Sequence, residues 1–482
     1  MNEKVYYGVA LTAYAFICAF SYLLSPYLLT CMIIIPAFLI LSFLIPNFSI
    51  AMIFLTFFVQ HTGIKIMVSS SDTMEYPLYL IFVFIALLVW IVNKAINKET
   101  QRVVTPFDIP LVIIFLLETM TLLWTPSLEL GLYFYVKLIF NYITFYVITA
   151  FIKDEKSLKA SVAILCVATF AQSVSVLVSK YYNTIEFINL FKGITLSLYG
   201  IQTIENRPMG LAGAAAAELM LMGILFIVSF SLRSKWYNHI LYFACCLFIA
   251  YSIGVMAVRS AFLALIIGFV LLFYFQPEFR KRFFSYSIEF VLSVCLIVVL
   301  FTPGFIDRIL IGFGYNEQLF FTKTSSSNKE LLKSSKQGLS AFSFRVKMWK
   351  DGIKYYKQNP HKILAGIGIS GLVYLSQYTT TEAHGLLLSF FWDMGILGII
   401  ALLYLFWKIV IVIADIYKLM NNTLTATIAL VCAISVIIVL GIDNIIWADL
   451  NSAFSRFSWM IMALFAASYN VLKNNHASGK TS

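Results

Sequence analysis

Nine ionisable residues lie inside or at the edge of long apolar segments, where a charge is costly and commonly serves a function. They are Glu118, Lys137, Glu218, Arg259, Glu289, Asp393, Asp443, Asp449 and Arg456. Several of them stand near a segment end, so their side chains can reach water for purely structural reasons. Arg259 differs because it lies between two short apolar runs. It is therefore the strongest candidate of the nine.

His384 is a second candidate, because it begins an apolar run at the point where a basic segment ends. Histidine changes protonation near neutral pH, so it can accept or donate a proton in a reaction. A lone histidine at a membrane surface is more commonly just hydrated or a helix cap. The setting of His384 is not shared by the other histidines, which are His61, His239, His361 and His476.

Membrane helices must position these residues. Of the 482 residues, 61% are hydrophobic and 12% are charged, whereas soluble domains are about half apolar and about a quarter charged. Apolar runs of about 20 residues, enough to cross a bilayer as a helix, recur along the whole chain. We count about fourteen, and we predict an all-α, polytopic integral membrane protein. A soluble fold is excluded.

Basic residues orient the predicted helices, since short cytoplasmic loops collect lysine and arginine. The short connecting segments form two alternating sets, one with sixteen basic residues and one with four. The richer set includes both termini and is expected in the cytoplasm. This gives a membrane bundle over 1–303 with about eleven spans, an extracytoplasmic basic loop over 304–383, and three further spans with a cytoplasmic C-terminus over 384–482.

The loop 304–383 carries eleven basic and five acidic residues. A basic surface outside a membrane is either simply solvated or attracts lipid headgroups, pyrophosphate or an acidic glycan. No motif for nucleic acid accompanies the charge. Within the loop, 341–358 is expected to form an amphipathic helix that ends before Asn359-Pro360. Its apolar stripe is Val346, Trp349, Ile353 and Tyr356, and its basic stripe is Lys347, Lys350, Lys354 and Lys357.

The remaining motifs point away from cofactor chemistry. All seven cysteines lie in apolar runs, so neither a disulfide nor a metal site is suggested. The segment Gly366-Ile-Gly-Ile-Ser-Gly371 matches a dinucleotide fingerprint, but that motif needs a strand before it and a crossover helix after it. We interpret it as a flexible turn that returns the loop to the membrane. No cofactor is predicted.

The spacing of residues over 345–398 resembles the O-antigen ligase and O-antigen polymerase family of polytopic glycan transferases. The matching elements are Arg345-x-x-x-Trp349, Asn359-Pro360, Gly366-x-Gly368, His384 and Asp393-x-Gly395-x-x-Gly398. Upstream, Arg207-Pro-Met-Gly210 and Val258-Arg259-Ser260 look like the two earlier arginine sites of the family. This chain departs from the pattern at Gly385, where the family commonly has asparagine, and at Asp393, where it usually has glutamate.

The resemblance implies a metal-independent enzyme at the bacterial cytoplasmic (inner) membrane, with its active site on the extracytoplasmic side. It would move a glycan from a polyprenyl pyrophosphate carrier to a sugar hydroxyl. Arg259 and Arg345, with Arg207 third, would then stabilise the pyrophosphate, and His384 would accept the proton of the acceptor. Trp349 and Asp393 would support the site. Asp393 lies about 13.5 Å from His384 along a straight helix and cannot touch it.

Several functions remain open at this point. Polymerisation of cell-surface polysaccharide repeat units is favoured, with a chain-length regulator as a further partner. A ligase that moves finished glycan onto a lipid or a protein would use the same chemistry. A transporter that flips lipid-linked oligosaccharide also has twelve to fourteen spans, but such proteins tend to contain repeated halves, and no repeat is evident. A binding-only protein is the last alternative.

Topology is directly testable. A membrane-impermeant thiol reagent should label a cysteine introduced at Ser326 in intact cells, because the loop 304–383 is expected outside. A cysteine introduced at Gln101, in a lysine-rich connecting segment, should react only after the cells are permeabilised. The reverse pattern would overturn the orientation and every functional role that depends on it.

Overall fold

A computed structural model describes most of the membrane bundle and part of the basic loop. The described residues are 36–42, 45–57, 63–67, 73–77, 79–96, 103–179, 185–191, 194–199, 202–204, 207–210, 216–232, 236–256, 259–281, 349–375, 386–420, 423–443 and 455–478. The predicted first span, the predicted span near 284–303 and the loop from 304 to 348 lie outside them. So do Arg345 and His384.

Helices dominate the described residues. They are α1 Pro46–Phe57, α2 Tyr79–Ile96, α3 Asp108–Thr121, α4 Leu128–Phe151, α5 Glu155–Ser179, α6 Ala216–Ser231, α7 Trp236–Met256, α8 Arg259–Phe275, α9 349–358, α10 Lys362–Ala365, α11 Gly371–Leu375, α12 Leu386–Lys418, α13 Leu424–Val436 and α14 Ser455–Ala477. Shorter helical stretches cover 36–42 and 277–281. A π-helical segment, Ile437–Asp443, continues α13.

Four helices in the described part of the chain are long and apolar enough to cross a membrane: Tyr79–Ile96, Leu128–Phe151, Glu155–Val178 and Leu386–Lys418. Shorter apolar helices, such as Met220–Ser231 and Leu241–Gly254, accompany them. A largely helical, multi-pass membrane protein is therefore confirmed. The number of fourteen spans stays a prediction.

The all-α description needs one correction, because short strands occupy two connecting segments. β1 Gly63–Met67, β2 Thr73–Pro77, β3 Ile185–Phe191 and β4 Ile194–Tyr199 form an antiparallel sheet in the order β2-β1-β4-β3. β5 Gln202–Ile204 pairs with β6 Arg207–Gly210. The sequence of β4, Ile-Thr-Leu-Ser-Leu-Tyr, alternates apolar and polar residues with the period of two that is typical of a strand.

Contacts near the ends of the helices agree with the division of the connecting segments into a lysine-rich set and a lysine-poor set. β1 pairs with β4, which requires the segments after α1 and after α5 to lie at the same end of the bundle. Both belong to the lysine-poor set. Within the lysine-rich set, Asn470 donates to the carbonyl of Val104 at 3.0 Å, and Asn475 donates to Glu155 at 3.4 Å. The alternation of the connections is thus consistent with the described contacts.

The centre of the bundle is formed by α13 and α14, whose described side chains are buried all round over 425–436 and 457–469. A helix that is apolar on every side belongs in such a core. Trp459 of α14 contacts Tyr142 and Phe145 of α4 with ring centroids 4.6 Å and 6.4 Å apart. α12 lies at the edge instead, since Ile400 and Leu403 are exposed as lipid-facing residues would be.

Candidate functional site

The amphipathic helix α9 packs on the beginning of α12 through one aromatic contact. The ring of Tyr356 is stacked on Trp392, with centroids 5.0 Å apart and planes 19° apart. Its hydroxyl donates to the carbonyl of Phe391 at 2.7 Å. Gly352, one turn earlier, is so close that a Cβ there would lie 2.8 Å from the Trp392 ring. These contacts fix α9 against the start of the span.

The predicted apolar stripe of this helix is only partly buried. Tyr356 is 5% exposed and Trp349 is half-buried, so both face the bundle side as expected. Ile353 is 49% exposed and lies at the edge of the basic face. The helix ends at residue 358, just before Asn359-Pro360, as predicted. Val346 lies outside the described residues.

The turn 366–371 is buried against α12 and is bonded to its backbone. The amide of Ile367 donates to the carbonyl of Trp392 at 2.7 Å, and the amide of Gly368 donates to the carbonyl of Asp393 at 3.1 Å. α12 has a non-helical residue, Gly395, with φ 66° and ψ −150°. Such a break frees carbonyl groups in the preceding turn. The loop amides satisfy two of them.

Glycines on both sides make this approach possible. Gly366 has φ +80°, and a Cβ there would lie 2.2 Å from the carbonyl oxygen of Asp393. Gly395 has φ +66°, and a Cβ there would lie 2.5 Å from the carbonyl oxygens of Ile363 and Leu364. The positive φ angles disfavour a residue with a side chain at these two positions, and the short distances leave no room for one. We call this contact between the turn 366–368 and the break at Gly395 the glycine interlock.

The interlock explains two motifs that the sequence analysis kept apart. A turn was predicted at 366–371 and is confirmed, but its description as flexible does not fit a segment that is buried and hydrogen-bonded. The segment follows α10 and precedes the short helix α11, so it also lacks the strand and the crossover helix of a dinucleotide site. Gly366-x-Gly368 and Gly395-x-x-Gly398 meet in space.

A second wall of the site comes from the connection between α3 and α4. Thr125 donates from Oγ1 to the carbonyl of Ile369 at 2.8 Å, and the amide of Ile369 donates to Oγ1 of Thr121 at 3.2 Å. A Cβ at Gly368 would lie 2.7 Å from the Cα of Thr125. The turn is therefore held from two sides. Sequence reasoning missed both threonines, and no local signal marks them, because their partner is far along the chain.

Asp393 lies beside Tyr356 at the centre of these contacts and is 8% exposed. Burial raises the pKa of the Tyr356 phenol well above its usual value, and the nearby Asp393 carboxylate adds to the rise. The phenol therefore stays protonated and serves as a hydrogen-bond donor to the start of α12. The supporting role expected for Asp393 stays a prediction.

Two of the predicted site residues, Trp349 and Asp393, lie on described elements that contact each other. The other predicted site residues are outside the described residues or are described by their backbone alone. Trp349 begins the described part of α9, and Asp393 lies in α12, which α9 contacts. Arg345 precedes α9 by four positions and His384 precedes α12 by two, and both are outside the described residues. Arg259 begins α8 and Arg207 begins β6, as backbone positions only.

Among the described residues, no group of three or more histidine, cysteine, aspartate or glutamate side chains is placed to hold a metal ion. The four cysteines described are free thiols, namely Cys166, Cys245, Cys246 and Cys432. The described part of the candidate site is built from aromatic rings, two threonine hydroxyls, backbone groups and one carboxylate.

Part of the chain is similar to a known protein family. Residues 241–403 match the family model described as O-antigen ligase. The matched range runs from within α7 to within α12, so it contains the whole glycine interlock, and it includes Arg259, Arg345 and His384. Arg207 lies before it. No curated protein sequence matches the chain.

The interlock predicts a specific sensitivity. Gly395→Ala should lower the stability of the protein by at least about 2 kcal/mol, because alanine is strained at φ +66° and its Cβ would overlap backbone atoms. Gly268→Ala is the matched control, since a Cβ there meets only side-chain atoms of Ile438 and Leu225, at 3.1 Å or more, and none of the turn. Thermal unfolding of the two purified variants measures the difference. Equal losses would show that the close approach at Gly395 does not exist.

Proposed function

We propose that this chain, whose residues 241–403 match the family model described as O-antigen ligase, transfers a glycan from a polyprenyl pyrophosphate carrier to a sugar hydroxyl. The reaction takes place at the outer face of the bacterial inner membrane. The family match supports glycan transfer in general. The donor, the acceptor and the side of the membrane are parts of the proposal.

The observation that carries the proposal is the glycine interlock. It joins a basic segment to the start of a membrane span inside the matched range, through two hydrogen bonds to the carbonyls of Trp392 and Asp393. A lipid-linked donor presents its pyrophosphate at the membrane surface. A site for it must therefore combine residues of an outside segment with residues at the mouth of the bundle, and the interlock holds two such segments together.

Each residue has a role in this chemistry. The bond between the anomeric carbon and the pyrophosphate oxygen breaks, and the acceptor oxygen bonds to the anomeric carbon. His384 takes the proton of the acceptor hydroxyl. Arg259 and Arg345, with Arg207 third, stabilise the negative charge of the departing pyrophosphate, so that no metal ion is required. Trp349 and Asp393 support the geometry.

Polymerisation of repeat units is the favoured form of this reaction, and a chain-length regulator would be its partner. Transfer of finished glycan to a lipid or protein acceptor is the second candidate, supported by the description of the matching family. Both need a donor, an acceptor and the bilayer. A transporter is disfavoured by the family match, which concerns transferases.

Extracted lipid-linked glycans distinguish these forms. Without this protein, accumulated single units indicate a polymerase, and long unlinked chains indicate a ligase. Units confined to the inner leaflet would instead indicate a transporter and would contradict the proposal.

His384 provides the sharpest test of the mechanism. His384→Ala should reduce the rate of glycan transfer by about 10² to 10⁴, the usual contribution of a positioned base, while the lipid-linked donor still binds. His361→Ala is the matched control, because His361 is an exposed residue of the same segment and should be replaceable without loss. Normal transfer by purified His384→Ala would remove the catalytic assignment.

The two arginines have a test of their own. Arg259→Lys and Arg345→Lys should each lose glycan transfer, since lysine cannot bind phosphate in bidentate fashion. Normal glycan chains from both lysine variants, at normal protein levels, would remove these arginines from the site.

A further inference from the structure

One face of α9 has no role in the site described above. Lys350, Lys354 and Lys357 are exposed and stand at positions i, i+4 and i+7, which share one side of a helix. Ile353 lies at the edge of this side and is half exposed. The opposite side, with Gly352 and Tyr356, packs on α12. We call the exposed side the lysine face.

The depth of the lysine face follows from the length of α12. This helix has 33 residues and is about 50 Å long, whereas the hydrocarbon core of a bilayer is about 30 Å thick. Trp407 is 57% exposed, and the ammonium of Lys408 lies 5.3 Å from its ring centre. An exposed tryptophan beside a lysine is typical of a membrane interface.

The position of Trp407 also locates the opposite membrane interface. A hydrocarbon core of about 30 Å is crossed by about 20 helical residues, so the opposite interface lies near the start of α12. α9 contacts Phe391 and Trp392 there. If the interface at the C-terminal end of α12 lay at Lys418 rather than at Trp407, the contacts with Phe391 and Trp392 would lie about 10 Å outside the hydrocarbon core. In both cases the lysine face is at the depth of lipid headgroups.

The surroundings of α9 fit an interfacial position better than an aqueous one. Leu364 of α10 and Tyr374 of α11 are more than half exposed. Large apolar side chains next to lysines are the pattern of a segment whose apolar groups enter the headgroup boundary while its charges meet phosphates. Asp351 is the acidic residue of the described helix, about 100° from Lys350 and about 60° from Lys354 around the axis, so the three lysines outnumber it on this side.

We propose that the lysine face binds the headgroups of anionic phospholipids in the leaflet that surrounds the start of α12. The charges are complementary, and each lysine close to an anionic surface strengthens the attraction about fivefold. This binding would hold α9, and with it the glycine interlock, at the membrane surface. It requires no glycan transfer and can be tested separately from that function.

The test uses the full-length protein in lipid nanodiscs that contain a photoactivatable phosphatidylglycerol. Irradiation should cross-link this lipid to peptides that include α9. Lys350→Gln, Lys354→Gln and Lys357→Gln combined should lower that cross-linking at least fivefold, on the order of one lysine's contribution. The same three positions changed to arginine form the matched control, because the charge is kept, and should cross-link like the original protein.

Three results would overturn the proposal. Equal labelling of α9 by photoactivatable phosphatidylcholine would show that charge is not recognised. Undiminished labelling of the glutamine variant would show that the lysines are not responsible. Competition by a polyprenyl pyrophosphate but not by unlabelled phosphatidylglycerol would assign the lysine face to the donor instead. Equal unfolding temperatures of the glutamine and arginine variants are the control that both are folded.

Discussion

Two amide groups of a loop donate hydrogen bonds to carbonyl groups of a broken helix, and this contact organises the described structure around the start of α12. Where a helix is interrupted near a membrane, its free carbonyls need partners, since each unsatisfied group costs several kcal/mol in an apolar environment. Ile367 and Gly368 supply those partners to Trp392 and Asp393. The backbones can approach because Gly366 and Gly395 have no side chains.

The positions of the neighbouring elements follow from this contact. α9 can stack Tyr356 on Trp392 because α10 and the turn bring the chain back to α12. The connection between α3 and α4 then closes the other side through Thr125. A basic helix, a buried carboxylate and the start of a membrane span are thereby combined in one place. The proposed transfer from a lipid-anchored donor would use such a combination, because the donor's charged group stays at the membrane surface.

Local sequence patterns predicted the parts of this arrangement but not their assembly. Apolar runs gave the membrane helices, and Asn359-Pro360 gave the end of α9. The two glycine motifs were visible, yet their contact depends on backbone angles that no periodicity encodes. Thr125 and Ile369 are separated by 244 residues. Pairing of β1 with β4 is equally non-local, and the strands were missed because apolar periodicity was assigned to membrane spans alone.

Hydrogen exchange of the turn 366–371 tests the glycine interlock most directly. In the full-length protein, the amides of Ile367 and Gly368 should exchange as slowly as those in the middle of α12, because they are buried and bonded to Trp392 and Asp393. Gly395→Ala should accelerate their exchange. Exchange of this turn at the rate of an unstructured peptide, in the otherwise folded protein, would contradict the interlock.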